Sequence, residues 1–185
     1  LRDDLGLIDD VADSDALAAS VPDADGVVFV PAPLGLGTPH WDYGARSGLF
    51  GLTRGSTKAH VARAVLEGVA RRGAELLTAA EADTGTHIEA LRVDGGMSVN
   101  TTFVQALANA TQRPVEVSPH VEATARGGAL AAGVALGWYR SVAGLTDLWR
   151  PTRVVQPNTT FDPDQWAGAI ERTRAWHPDL SAIEF

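Results

Sequence analysis

Apolar positions recur along this chain at two different spacings, and the alternation between the two predicts an α/β protein. Val27 to Val30 make an unbroken apolar run halted by Pro31 and Pro33, the pattern of a buried strand that opens into a loop. Ala62, Leu66, Val69, Gly73, Leu76, Leu77 and Ala80 then recur at helical spacing. This longest helix is expected to start behind a hydroxyl cap at Ser56 or Thr57 and to end at Gly85. Ile88, Leu91 and Val93 set a second strand over residues 87–93, and residues 114–118 alternate into a third. Between them Ser98 is placed to cap a helix with Val99, Phe103, Ala106, Leu107 and Ala110 on its apolar face. Shorter helices are expected over residues 15–21 and 164–176, and the proline-containing stretch 151–163 reads as loop.

Two stretches ask for a further reason. Residues 33–55 are rich in glycine and long for a connection, which predicts a functional or assembly role. Residues 122–139 read as a helix of small residues, with Gly127, Gly128 and Gly133 beside Ala131 and Ala132. A helical glycine costs about 1 kcal/mol relative to alanine, so three predict the close approach of another backbone or of a ligand.

Composition narrows the classes. A chain of 185 residues, 45% hydrophobic and 21% charged, is expected to form one soluble globular domain. Its 23 Asp and Glu outnumber 15 Lys and Arg, the formal charge is −8, and the acids are spread along the chain, which disfavours a nucleic-acid partner. No stretch approaches the roughly 18 to 20 consecutive apolar residues needed to cross a bilayer, so no membrane role is expected. The absence of cysteine excludes disulfides and thiolate metal sites and suits a cytoplasmic location. Residues 1–8 read as the last turn of a helix and carry no initiating methionine, so an upstream part is expected to be missing.

Several familiar motifs fail on inspection. Ser56 and Thr57 separate Lys58 from Gly55, where a phosphate loop needs lysine directly after its glycine. His40 stands where a dinucleotide fingerprint needs its third glycine, and Asn100 where a nucleophile elbow around Ser98 needs its last one. The five histidines never fall at i and i+4, so no zinc pattern is present. What remains is Asp94-Gly95-Gly96, at the seam between a strand and a helix. Two residues without side chains there would let a ligand lie against main chain, beside the positive end of a helix and within reach of Asn100. The same glycines also suit a tight turn that needs positive φ.

Four segments in this order, residues 41–70, 91–100, 122–139 and the terminal helix with Ala175-Trp176-His177-Pro178, resemble the C-terminal domain of the FGGY carbohydrate kinases, nearest the members that act on glycerol. The resemblance covers nearly the whole chain. It implies a partial actin-like, Hsp70-like ATPase domain of the ribonuclease H-like class, with helices packed on a mixed sheet. Carried over by position, Gly96 would line an adenine nucleotide (ATP or ADP), Gly95 would permit the approach, and Asn100 would contact the adenosine. Thr101 and Thr102 depart from the polar-then-apolar pair of the family at those positions. The implied reaction is phosphoryl transfer from MgATP to a terminal hydroxyl of glycerol or a related polyol. Its catalytic aspartate, its Mg ligands and its substrate-binding residues are all expected upstream of Leu1, so no catalytic or metal-binding residue is assigned within the chain. Pairing of like subunits is a further expectation of the family. A kinase for another sugar, and a non-catalytic nucleotide-binding or interaction module, stand as alternatives.

Overall fold

The computed structural model describes residues 1–3 and 5–182. The elements are α1 (Asp13–Ala19), β1 (Val28–Val30), β2 (Gly48–Phe50), α2 (Lys58–Thr84), β3 (Leu91–Val93), α3 (Thr101–Thr111), β4 (Val115–Val117), α4 (Ala123–Ala135), β5 (Arg153–Val155), α5 (Pro163–Thr173) and α6 (Pro178–Ser181). The reading of residues 1–8 as a helix end falls partly on residue 4, outside the described residues. Gly6 N–H donates to Arg2 O at 3.0 Å in that segment.

Strand β1 pairs antiparallel with β2, Val28 opposite Phe50 and Val30 opposite Gly48. Strand β3 runs parallel to β4, with Leu91 opposite Val115, and β4 runs antiparallel to β5. The second sheet is therefore mixed, as the resemblance implied. Both β2 and β5 lie inside stretches that the sequence pattern leaves as loop. All five strands among the described residues have three residues, but β2 sits among glycines and β5 among prolines and polar residues with no apolar pattern around them, and each is fixed by its partner strand.

Helix α2 joins the two sheets. Thr57 is its cap, and Thr57 N–H donates to His60 Nδ1 at 3.0 Å, while Gly85 ends it at φ +63°. One side of α2 contributes Ala70 to a core with Val104, Leu107, Val115 and Val117. The β1 side leads into a second core, where Val28, Val30 and Leu36 meet Trp166 and Ile170 of α5. Gly68 sets how closely α2 approaches β1: a Cβ there would lie 2.0 Å from Phe29 O.

The glycine-rich stretch is held in shape by one buried carboxylate. Asp42, 4% exposed, accepts from Gly44 N–H at 2.9 Å, Ala45 N–H at 3.0 Å, Ala175 N–H at 2.8 Å and the Ser181 hydroxyl at 2.5 Å. It thereby ties residues 36–47 to the ends of α5 and α6. Burial alone would raise its pKa, but these donors outweigh it and hold the carboxyl below the ordinary aspartate range.

Within the described residues, the small-residue helix α4 has little packed on it. Only Gly133 is buried, and a Cβ at Gly127 or Gly128 would meet nothing within 4 Å. Tyr139 covers Gly133, while Leu136, Trp138 and Val142 are exposed.

These two kinds of glycine predict opposite outcomes in urea unfolding. Gly68→Ala forces α2 away from β1 and lowers stability by about 1–3 kcal/mol. Gly127→Ala meets open space on a helix and raises it by up to about 1 kcal/mol.

Candidate functional site

The Asp94-Gly95-Gly96 turn lies just past the carboxyl end of β3, beside the end of its parallel partner β4. Ligands of open α/β sheets bind in the crevice outside such strand ends. Gly95 N–H donates to Val121 O at 3.2 Å, which ties the turn to the segment leading into α4, and Arg153 Nη2 donates to Ser98 O at 3.2 Å from β5. Gly95 adopts φ +82°, a region that residues with a Cβ rarely enter. A Cβ added at Gly95 or Gly96 would meet no atom within 4 Å. The main chain is thus bare toward open space, as a ligand lying on it requires.

The helix that follows is capped by Asn100. Ser98, the expected cap, closes a 3-10 turn over Gly96–Val99 by donating its hydroxyl to Gly95 O at 2.7 Å. That extra turn moves the helix start two residues along. Asn100 Oδ1 accepts from Phe103 N–H at 2.8 Å, and Asn100 O accepts from Val104 N–H at 3.1 Å. Asp15 of α1 reaches over the same helix end, accepting from Thr101 N–H at 2.9 Å, the Thr101 hydroxyl at 2.6 Å and Thr102 N–H at 2.9 Å. Every N–H in the first turn of α3 therefore has an acceptor within the chain.

This changes what the site can bind. The positive pole of α3 beside the turn already holds an anion, the Asp15 carboxylate. Burial raises the Asp15 pKa, the hydrogen bonds from Thr101 and Thr102 lower it by more, and it settles at about 2. The corner is left suited to an uncharged, flat ligand edge rather than to phosphate. Asn100, 9% exposed, spends one amide N–H on Ser14 Oγ at 3.2 Å. An amide nitrogen carries two donors, so Ser14 uses one of them.

Ser14 and Asp15 escape sequence reading because they lie 86 residues from their partners and carry no motif. The two threonines that depart from the family pattern at 101 and 102 are the ones that Asp15 grips. A cavity of about 530 Å³ between α2 and the loop before α5 is lined by Arg71, Glu75, Phe161 and Trp166, and not by Gly95, Gly96 or Asn100. Buried Arg71 stacks there with its guanidinium carbon 4.3 Å from the centre of the Phe161 ring. Among the described residues no group of three or more His, Asp or Glu side chains is arranged to hold a metal ion.

Residues 2–136 match the family model described as the FGGY family of carbohydrate kinases, C-terminal domain, and the chain belongs to this family. It is 45% identical over 181 residues to glycerol kinase of Rhodopirellula baltica, covering 95% of this chain and 34% of that protein. Against glycerol kinase of Dechloromonas aromatica it is 46% identical over 182 residues, covering 95% and 36%. The chain thus spans about a third of the length of the curated relatives it matches. The crystal structure of Plasmodium falciparum glycerol kinase with ADP superposes with a TM-score of 0.80 at 30% identity, covering 97% of this chain and 35% of that one. Gluconate kinase from Lactobacillus acidophilus shares the fold at 23% identity, with a TM-score of 0.68. The fold is the actin-like ATPase fold, present here in part.

Acid titration tests the Asp15 contact. Its pKa falls from 3.8 to about 2 on folding, so its contribution is complete above about pH 4 and is lost as pH falls toward 2. The stability gap between the chain and Asp15→Asn, followed by circular dichroism in urea, should close over that interval. A gap that stays constant down to pH 2 would remove the carboxylate from this role.

Proposed function

We propose that the chain is the C-terminal portion of an ATP-dependent glycerol kinase and supplies the adenosine side of its nucleotide site. The observation that carries this reading is the bare main chain at Gly95 and Gly96 next to the Asn100 amide. A purine ring or ribose edge can lie against peptide there without meeting a side chain, and Asn100 can donate to it. The phosphates would extend away from Asp15, whose negative charge repels them. ATP would supply the transferable phosphoryl group and Mg would neutralise its charge; the chain's own residues hold the nucleoside and keep its orientation.

The acceptor hydroxyl, its base and the Mg ligands are assigned to the remainder of the full-length protein. The chain alone is therefore expected to hold nucleotide weakly, because the opposite wall that would preorganise the site is not part of it. Glycerol is favoured over other polyols by the identity of 45% and 46% to two glycerol kinases. The exposed apolar residues of α4 and the segment after it support a second role for the chain as a surface that closes against another domain or subunit.

ADP titrated into the 185-residue chain should move the backbone amide signals of Gly95, Gly96 and Asn100 saturably, with a dissociation constant in the millimolar range. Gly96→Val, which meets no atom of the chain, should weaken binding at least about tenfold. Asn100→Asp keeps an N-cap oxygen but has no amide donor, and should weaken ADP while Phe103 N–H keeps its cap acceptor. In a coupled assay the purified chain should produce no glycerol 3-phosphate above background; measurable turnover would refute the division of labour.

A further inference from the structure

The hydrogen bonds around Asn100 have a single direction that the chain itself dictates. Phe103 N–H can only donate, so the atom it meets at 2.8 Å is the carbonyl oxygen of Asn100. The amide nitrogen therefore faces Ser14 Oγ at 3.2 Å. Ser14 spends its one hydroxyl proton on Val11 O at 2.7 Å, which leaves a lone pair as the only thing it can offer Asn100. The relay runs from Asn100 to Ser14 to Val11, and reversing any member leaves a donor facing a donor. Ser14 is 8% exposed and Asn100 is 9% exposed, so water does not readily replace either partner.

This arrangement fixes more than a helix cap needs. The cap uses only the carbonyl side of Asn100 and would survive loss of Ser14. What Ser14 adds is the orientation of the amide plane, and with it the direction of the second N–H. We propose that Ser14 is a positioning residue for the nucleoside end of the nucleotide, acting through Asn100, so that α1 takes part in the site without touching ligand. The inference deepens the nucleotide reading and rests on it. Asp15 reinforces it from the next position, by pinning the first turn of α3 to the same helix α1.

A double-mutant cycle in ADP binding, read by amide NMR on the 185-residue chain, separates positioning from mere support. Ser14→Ala should weaken ADP about fivefold, the worth of one hydrogen bond of about 1 kcal/mol. Ser14→Thr, which keeps the hydroxyl, should restore the binding. In the Asn100→Asp background, where no amide is left to orient, Ser14→Ala should cause no further loss. Adenosine should follow the same pattern as ADP. Independent, multiplying losses in the cycle would overturn the inference and leave the nucleotide reading in place. Unchanged ADP affinity in Ser14→Ala would do the same. If the unsubstituted, folded chain shows no saturable ADP binding, the nucleotide reading falls, and the inference with it.

Discussion

An α-helix begins with N–H groups that have no partner inside it, and a helix end in a protein interior must find acceptors for them. In this chain α3 begins at the carboxyl edge of the mixed sheet, where the main chain has just turned through Gly95 and Gly96. Its orphan donors are met by the Asn100 carbonyl and the Asp15 carboxylate. That requirement fixes α1 against α3 and fixes the Asn100 amide. It also determines the sign of the charge at the corner. The neighbouring parts of the site take their character from it.

The consequence for recognition is electrostatic before it is steric. A helix N-terminus with free donors attracts phosphate; one already filled by a carboxylate does not. Two side-chain-free residues placed beside a filled helix end offer contact and hydrogen bonding without charge, which matches a nucleoside better than a polyphosphate. The low pKa of Asp15 keeps the carboxylate ionised at any physiological pH. The proposed division into a nucleoside corner here and phosphate chemistry elsewhere rests on these local hydrogen bonds.

Helix α4 shows the other face of incompleteness. Apart from Thr124 and Arg126 its residues are small or apolar, yet its surface is open apart from Gly133. The glycines that the sequence marks as close-packing positions have no neighbour at Gly127 and Gly128. The long loop at residues 33–55 gives the opposite lesson. Its glycines suggest freedom, but the Asp42 carboxylate takes two donors from the loop and two from the ends of α5 and α6, and Leu36 is buried at 1% exposure.

Local pattern was enough for whatever depends on local pattern. The helical face of α2, its cap at Thr57 and its stop at Gly85, the apolar strands around Val28 and Val115, and the glycine turn after β3 all follow from side chains within a few residues of one another. The ordered set of four motifs carried the family as well, because spacing along a chain is itself a sequence property. Tertiary structure alone decided the rest. The three-residue strands β2 and β5 exist only through their partners, and the cap moved from Ser98 to Asn100 because a 3-10 turn intervened. Asp15 became the resident anion of a helix 86 residues away. Pairings across such distances leave no period in the sequence, since what selects them is the need of a buried donor for an acceptor, wherever along the chain that acceptor is encoded.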